Sequence, residues 1–211
     1  MASTTSLLDA IVHRRTIYDL SPSSPIPDSR IVKIVHQITL HVPSSFNCQS
    51  ARFLVLLHDD HRRLWDQARE IMAQVLPESV FTTYFAPMIT KYRGGYGTVV
   101  CFEDRTTIDA LTTQYEGVIP REKFEQWSEH SAGMHQFALW CALEAEGMGA
   151  NLQHYNPHID AMVRETWGVS SDWVLKAQLV FGVPANNVRI KKETEMKPLA
   201  ERVLVRGGLS S

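Results

Sequence analysis

The sequence predicts one three-layer domain in which helices cover a central β-sheet, and three features of the chain support this prediction. Three apolar runs have the length of buried strands, at residues 53–57, 98–102 and 175–181. Segments with apolar residues three and four positions apart, as in amphipathic helices, alternate with these runs. The chain has 211 residues, which is enough to bury one sizeable core.

The N-terminal part is predicted to contain two helices separated by a loop. Residues 6–13 form the first helix, which ends directly before Arg14 and Arg15. Three prolines and three serines predict a loop at residues 20–27. The second helix spans residues 28–41, and its apolar positions follow the intervals i, i+3, i+4 and i+7: Ile31, Ile34, Val35 and Ile38.

The middle of the chain is predicted to supply two strands at the centre of the sheet. Residues 53–57 are continuously apolar, as expected for a strand that is covered on both faces. A helix is predicted to follow at residues 60–75. Residues 98–102 repeat the apolar pattern, and the charged pair Glu103 and Asp104 is expected to end this second strand.

The C-terminal half is dominated by a long helix. Residues 128–146 carry small and bulky apolar side chains around much of the helix, which predicts a buried helix that packs on a partner subunit. A shorter helix at residues 157–167 and the strand at residues 175–181 follow. A final strand is predicted at residues 202–205, and its exchange with a second copy is one way to cover it. The aromatic segment 81–92 does not distinguish helix from strand.

Composition and charge argue against several classes of function. The formal net charge is −2, which gives no electrostatic drive toward nucleic acid or anionic membranes. The three cysteines are widely spaced, which argues against a disulfide framework. No apolar run approaches the ~18 residues of a membrane span. We therefore expect a cytoplasmic protein, with access to the nucleus by diffusion, that binds neither nucleic acid nor membrane. A mitochondrial presequence is the alternative, although Asp9 lies within the Ser/Thr-rich opening.

The first candidate site is the arginine turn, residues 14–16, directly after the first predicted helix. Arg14 and Arg15 present two guanidinium groups, and Thr16 adds a hydroxyl donor. The forked donors of arginine suit the oxygen pairs of a phosphate, so a phosphate monoester is a sensible ligand. Alternatively, the two arginines are solvated or complement the negative end of the helix.

The second candidate site is the polar loop, residues 43–50, between a helix and a buried strand. Short uncharged side chains dominate it and could hydrogen-bond the carbonyl and N–H edges of a heteroaromatic ring: Ser44, Ser45, Asn47 and Gln49. An ordinary loop built of serine and asparagine turns is the alternative. Cys48 lacks a histidine partner that the sequence places nearby, which argues against a nucleophilic role.

The third candidate site follows the long helix. Gly147 and Gly149 are expected to end this helix and to let backbone amides approach a planar ligand closely. His154 and His158 have the spacing of two zinc ligands on a helix, but Pro157 separates them and no acidic third ligand is close.

Two further histidines lie on the long helix. His130 and His135 are five residues apart and therefore do not share a helix face, which favours ordinary core or interface positions. If either side chain faces a pocket, it could influence which small molecule binds there.

These segments together resemble the nitroreductase family, in particular its fungal and bacterial branch related to the fatty-acid repression mutant protein. The resemblance covers nearly the whole chain. The matching segments are RRTIYDLSPSSPIP at 14–27, HVPSSFNCQSARFLVL at 41–56, GYGTVVCFED at 95–104, WSEHSAGMHQFALWCALEAEGMGANLQHYNPHID at 127–160 and PLAERVLV at 198–205.

The resemblance implies an α+β, nitroreductase-like three-layer fold with two FMN sites at the interface of an intertwined homodimer. The residues expected to hold the FMN phosphate are Arg14, Arg15 and Thr16. Those expected to contact the flavin and its ribityl chain, partly from the other subunit, are Ser44, Ser45, Asn47 and Gln49. Those expected along the reactive edge of the flavin are Gly149, Ala150, Asn151 and Gln153.

The sequence departs from the family pattern before the final predicted strand. Relatives carry a phosphate-binding lysine there, whereas this chain has Glu-Thr-Glu-Met at residues 193–196. Lys191, Lys192 or Lys197 could substitute, and Lys192 is the residue that we include in the predicted FMN site.

The resemblance implies an oxidoreductase that moves hydride from NADH or NADPH, through FMN, to a small electron-poor acceptor such as a nitroaromatic, a quinone, an enone or an imine. The alternative is a flavin-binding redox sensor in lipid or stress signalling with little turnover. A third possibility is a fold that has lost FMN affinity and performs a step without redox chemistry.

Overall fold

The computed structural model describes residues 5–185 and 196–207. The helices are α1 (Leu7–His13), α2 (Asp28–His41), α3 (His58–Val75), α4 (Glu78–Val80), α5 (Ala86–Arg93), α6 (Arg105–Gln114), α7 (Arg121–Ala145) and α8 (Asp160–Trp167). The strands are β1 (Leu20–Ser21), β2 (Ala51–Leu57), β3 (Gly97–Asp104), β4 (Gly149–Gln153) and β5 (Trp173–Pro184). A π-helical turn (Phe81–Phe85) links α4 to α5, and short 3-10 turns occupy Ser45–Asn47 and Leu199–Glu201.

The strands form one antiparallel sheet organised around β5. Strand β3 pairs with one edge of β5, strand β4 pairs with the other, and β1 pairs with its C-terminal end. Strand β2 pairs with β3 and is the end strand of the described sheet. The prediction that residues 53–57 lie at the sheet centre was therefore wrong. The half-buried side chains of Phe53, Leu54 and Val55 agree with this edge position.

Two apolar cores lie on opposite faces of the sheet, which confirms the predicted three layers. On one face, Val100 and Phe102 of β3 pack with helices α3, α5 and α8 around the buried ring of Trp65. On the other face, Val99 and Cys101 of β3 pack with helices α2 and α7. Successive residues of β3 thus lie in opposite cores, because successive side chains of a strand point to opposite faces of the sheet.

Strand β3 extends through two charged residues that the sequence suggested would end it. Glu103 and Asp104 are both buried. The Glu103 carboxylate accepts hydrogen bonds from the hydroxyls of Ser50 and Ser128. Asp104 accepts from Arg52 at 2.7 Å and also caps helix α6. The prediction was wrong because buried carboxylates are tolerated where donors surround them.

Several element boundaries also differ from the predictions. Helix α7 begins at Arg121, seven residues before the predicted start at residue 128. Neither helix α6 nor strand β4 was predicted from the sequence. The aromatic segment 81–92 is helical, with a π-helical turn at its start. Val75, at the C-terminal end of α3, is 49% exposed.

The described C-terminal tail, residues 196–207, contains no strand in the single chain, in contrast to the prediction for residues 202–205. Its apolar side chains are exposed, and Leu204 is 78% exposed. Lys191 and Lys192, two of the lysines proposed to meet the FMN phosphate, lie outside the described residues. The third, Lys197, is exposed.

A buried polar cluster connects helix α3 to strand β3. The Thr98 hydroxyl accepts a hydrogen bond from Trp65 Nε1 at 3.0 Å and lies 2.9 Å from His61 Nδ1. All three residues are fully buried. Burial lowers the pKa of His61 to about 4, so its ring is neutral near pH 7.

We expect Thr98→Val to lower the free energy of unfolding by about 2–4 kcal/mol, because a shape-preserving change leaves two buried ring nitrogens without their partner. Urea denaturation at a fixed protein concentration measures the loss. Thr113→Val is the matched control, because that hydroxyl is exposed and bonds only the Asp109 carbonyl of its own helix. A loss for Thr98→Val no larger than the control's would contradict this account.

Candidate functional site

The arginine turn begins where helix α1 ends. The backbone N–H of Arg14 donates to the Ala10 carbonyl, which is the last hydrogen bond of the helix. The Arg14 guanidinium lies over the Trp140 ring, 4.4 Å from its centroid. Phe137 flanks the same group at 5.9 Å. The Nε atom of Arg14 is buried and has no hydrogen-bond partner in the described parts of the chain. This stacked guanidinium therefore has an unused donor.

Positive charge is uncompensated at this turn. Within residues 5–185 and 196–207, neither Arg14 nor Arg15 forms an ion pair with a carboxylate. One terminal nitrogen of Arg15 instead donates to the carbonyls of Val12 and Arg14, at 2.7 and 2.8 Å. Thr16 is exposed. Two unpaired guanidinium groups and an adjacent hydroxyl form an arrangement that suits a phosphate.

Strand β4 lies directly beside the arginine turn. Thr16 forms a parallel bridge with Ala150, and the Ile17 N–H donates to the Ala150 carbonyl at 3.0 Å. The Asn151 side chain donates to the Ile17 carbonyl at 2.8 Å, and Gln153 donates in turn to Asn151 at 2.8 Å. The structure thus brings the first and third predicted groups together.

Most of β4 is covered within the single chain. Gly149, Ala150 and Asn151 are buried, whereas Gln153 is partly exposed. A Cβ atom at Gly149 would lie 2.9 Å from Ile17 Cδ1, so the absent side chain lets the turn pack closely on the strand. The expected contact between this strand and a flavin edge stays a prediction.

The polar loop has an unusual backbone. Three residues of the loop have left-handed backbone conformations: Phe46, Asn47 and Gln49, with φ of 54°, 52° and 54°. Residues other than glycine rarely adopt such conformations. The Gln49 N–H donates to the Ser44 hydroxyl at 2.9 Å across the loop. The Phe46 ring packs on Tyr115 at 4.8 Å. Such strained conformations persist where surrounding contacts hold them, and they concentrate at binding sites.

The polar loop borders a cavity of about 140 Å³. Ser44, Asn47 and Gln49 line it, together with Arg52 of β2 and His135 of α7. Ser45 is not part of this lining. The cavity is smaller than the ~300 Å³ at which complete small-molecule sites begin, so it fits part of a ligand.

His135 of α7 is neutral and has a defined tautomer. Its Nδ1 atom lies 2.8 Å from the Ser131 carbonyl, which can only accept, so Nδ1 carries the hydrogen. Burial lowers the pKa of His135 below its usual range. Its ring also contacts Phe53 at 5.8 Å between centroids. His130, the other histidine singled out on this helix, is exposed.

Helix α7 separates the arginine turn from the polar loop. His135 faces the loop cavity, whereas Phe137 and Trp140 face Arg14. At 3.6 residues per turn, these aromatic positions are rotated by roughly 140–200° from His135 around the helix axis. The single chain therefore does not bring the second predicted group together with the first and third.

The aromatic support of Arg14 was not predicted from the sequence. The spacing of three residues between Phe137 and Trp140 places them on one helix face, and this is the signal that could have indicated it. No group of three His, Cys, Asp or Glu side chains suited to a metal occurs in the described residues. Among the helices of the same residues, none is long and apolar enough to cross a membrane.

Comparisons with known proteins agree with the resemblance seen in the sequence. Residues 11–183 match the family model described as the nitroreductase family. Nitroreductase FRM2 of Saccharomyces cerevisiae is 33% identical over 190 residues, which cover 87% of this chain and 91% of the relative.

Solved structures share the fold. Nitroreductase CinD of Lactococcus lactis, in complex with nicotinic acid, has a TM-score of 0.82 and 32% identity, covering 96% of this chain and 100% of that one. A Desulfovibrio desulfuricans protein solved in complex with FMN has a TM-score of 0.65 and 22% identity, covering 98% and 99% of the two chains. This second likeness concerns the fold alone.

We expect Gly149→Ala to lower the free energy of unfolding by about 1–3 kcal/mol, because the new methyl group forces Ile17 away from β4. The same substitution in an Ile17→Ala background should cost at least ~0.5 kcal/mol less, since the clashing side chain is gone. Urea denaturation of the four proteins in this cycle measures both values. Strict additivity would show that Gly149 and Ile17 are not coupled.

Proposed function

Because the chain belongs to the nitroreductase family, we propose that it is an FMN-dependent oxidoreductase that accepts hydride from NADH or NADPH and reduces a small electron-poor acceptor. The observation that carries this proposal is the arginine turn, with its unpaired guanidinium groups, packed directly on strand β4. This arrangement supports the proposal, because two positively charged side chains lie next to the strand expected to border the flavin.

The arginine turn would hold the phosphate of FMN. Arg14 and Arg15 supply charge-assisted donors, and the Thr16 hydroxyl adds a third. The Trp140 ring under Arg14 favours the charged guanidinium and restricts its orientation, so little side-chain freedom is lost when a phosphate binds. Lys192 lies outside the described residues, and its contribution stays a prediction.

The polar loop and β4 would hold the remainder of the cofactor. Ser44, Ser45, Asn47 and Gln49 offer uncharged donors and acceptors, which suit the flavin ring and the ribityl hydroxyls. Gly149, Ala150, Asn151 and Gln153 would lie along the flavin edge. Asn151 holds β4 beside the arginine turn through its hydrogen bond to the Ile17 carbonyl, and Gln153 donates a hydrogen bond to Asn151.

The active form would be an intertwined homodimer. Helix α7 keeps the arginine turn of one chain away from its own polar loop, so the loop of a second copy would complete each site. Apolar side chains on α1 and α7 are exposed in the single chain and would be covered in the dimer: Leu7, Leu8, Val12, Met134 and Phe137. The exposed tail, with Leu199 and residues 203–205, would extend onto the second copy.

Bound FMN supplies hydride chemistry at its N5 atom, and the protein supplies binding, orientation and exclusion of water. The described site accordingly needs no nucleophilic side chain. The arginine turn would anchor one end of the cofactor, while the polar loop would orient the polar groups that meet it. Nitroaromatics, quinones, enones and imines are the acceptor classes that we propose. The cytoplasmic and nuclear location expected from the sequence stays a prediction.

We expect the purified protein to show flavin absorbance between 300 and 550 nm, either as isolated or after addition of FMN. Anaerobic NADH or NADPH should bleach the bands, and a nitroaromatic or quinone should restore them. Bleaching with very slow reoxidation by every acceptor would favour the redox-sensor function. A colourless protein that does not respond to FMN would contradict the proposal.

We expect Arg14→Gln to weaken FMN binding by roughly 10- to 100-fold, because a charge-assisted hydrogen bond to phosphate is worth about 1.5–3 kcal/mol. Binding of riboflavin, which lacks the phosphate, should change little. Arg63→Gln, at an exposed position of α3, is the matched control for loss of one positive charge. Equal weakening of FMN and riboflavin would show that Arg14 does not bind the phosphate.

A further inference from the structure

The wall of the loop cavity includes a histidine that is not among the residues predicted to contact the flavin. His135 is 2% exposed, yet it forms part of the cavity wall beside Asn47 and Gln49. Its Nδ1 hydrogen is engaged by the Ser131 carbonyl at 2.8 Å. Because Nδ1 carries the hydrogen of the neutral ring, Nε2 carries the lone pair. The Nε2 lone pair is therefore the group that this ring can offer to a molecule in the cavity.

The side chains around His135 define what such a molecule must present. Asn47 and Gln49 carry amide N–H groups that can donate, and the neutral histidine of the same cavity wall can accept. A ligand edge that carries both acceptors and a donor complements this set. The pyrimidine edge of oxidised flavin carries both, with an imide N–H and two carbonyls.

We propose that His135 is a positioning residue of the flavin site, and that its Nε2 atom accepts the imide hydrogen of the flavin ring. The inference rests on the proposed function, because it assumes that FMN binds beside the polar loop. It assigns the cavity to the pyrimidine end of the ring, whereas the arginine turn binds the phosphate. It also explains why a histidine, instead of an apolar residue, lies on this buried face of α7.

The same geometry makes flavin binding sensitive to acid. When His135 is protonated, both ring nitrogens carry hydrogen and Nε2 can no longer accept. Because burial lowers the pKa of His135, the neutral form dominates above ~6.5 and is lost only at lower pH. The other charged group in the cavity wall is Arg52, which is paired with Asp104 at 2.7 Å. Phe53 and Ser131, which contact the ring from β2 and α7, do not titrate.

The direct test compares riboflavin with 3-methylriboflavin, whose imide hydrogen is replaced by a methyl group. Titration of the full-length protein at pH 7.5 should show riboflavin binding roughly 10-fold more tightly, as expected for one buried hydrogen bond. In His135→Phe the preference should fall to less than ~2-fold, and in His135→Gln, whose amide can still accept, it should be retained. His130→Gln, an exposed histidine of the same helix, is the matched control.

The acid dependence provides a second readout that a purely structural role would not alter. Riboflavin affinity of the wild-type protein should fall as the pH drops below the usual range of a histidine pKa, whereas that of His135→Gln should stay level. If riboflavin and FMN bind but His135→Phe keeps the preference for the unmethylated ring, this inference is overturned and the proposed function stands. If neither flavin binds the wild-type protein, both are overturned.

Discussion

The described structure depends on strand β5, which must pair with three other strands at once. Its residues pair with β3 from Gly97–Phe181 to Asp104–Trp173 on one edge, while its second half pairs with β4 on the other. Gly182 makes the crowded end possible, because a Cβ atom there would lie 2.5 Å from the Ser21 carbonyl oxygen. The register of β5 thereby determines the position of β4, and the bridge between Ala150 and Thr16 determines the position of the arginine turn. The position of the candidate phosphate site follows from the pairing of the sheet.

Helix α7 explains why a single chain carries two separated parts of a site. One side of this 25-residue helix packs on the sheet, where His135 and Leu139 are buried. The opposite side supports Arg14 through aromatic rings. A helix of this diameter cannot bring both sides to one small ligand. The separation is a physical reason for the homodimer that we propose, and the exposed apolar side chains of α1 and α7 point to the same conclusion.

The sequence predicted the features that depend on local periodicity and failed where tertiary partners decide. The limits of α2 were predicted at residues 28 and 41, because its apolar spacing and its terminal signals agree. Glu103 and Asp104 read as strand-ending charges, since no local pattern reveals that Ser50, Ser128 and Arg52 will supply donors.

Strand β4 was missed for a related reason. It is short, begins with glycine and contains polar residues, so its pairing with β5 and its burial come from the tertiary fold. Motif resemblance located the arginine turn and the polar loop without revealing their distance from one another. That relation required the three-dimensional course of α7.

We propose that each flavin site combines the arginine turn of one copy with the polar loop of another. Mixed dimers of an Arg14→Gln chain and a Gln49→Ala chain, purified with two different affinity tags, test it directly by the FMN content per dimer. A shared site predicts one intact site, so each mixed dimer should bind one FMN with wild-type affinity. If both groups act within one chain, every site carries a defect and no tight FMN binding should appear. That second result would contradict the account.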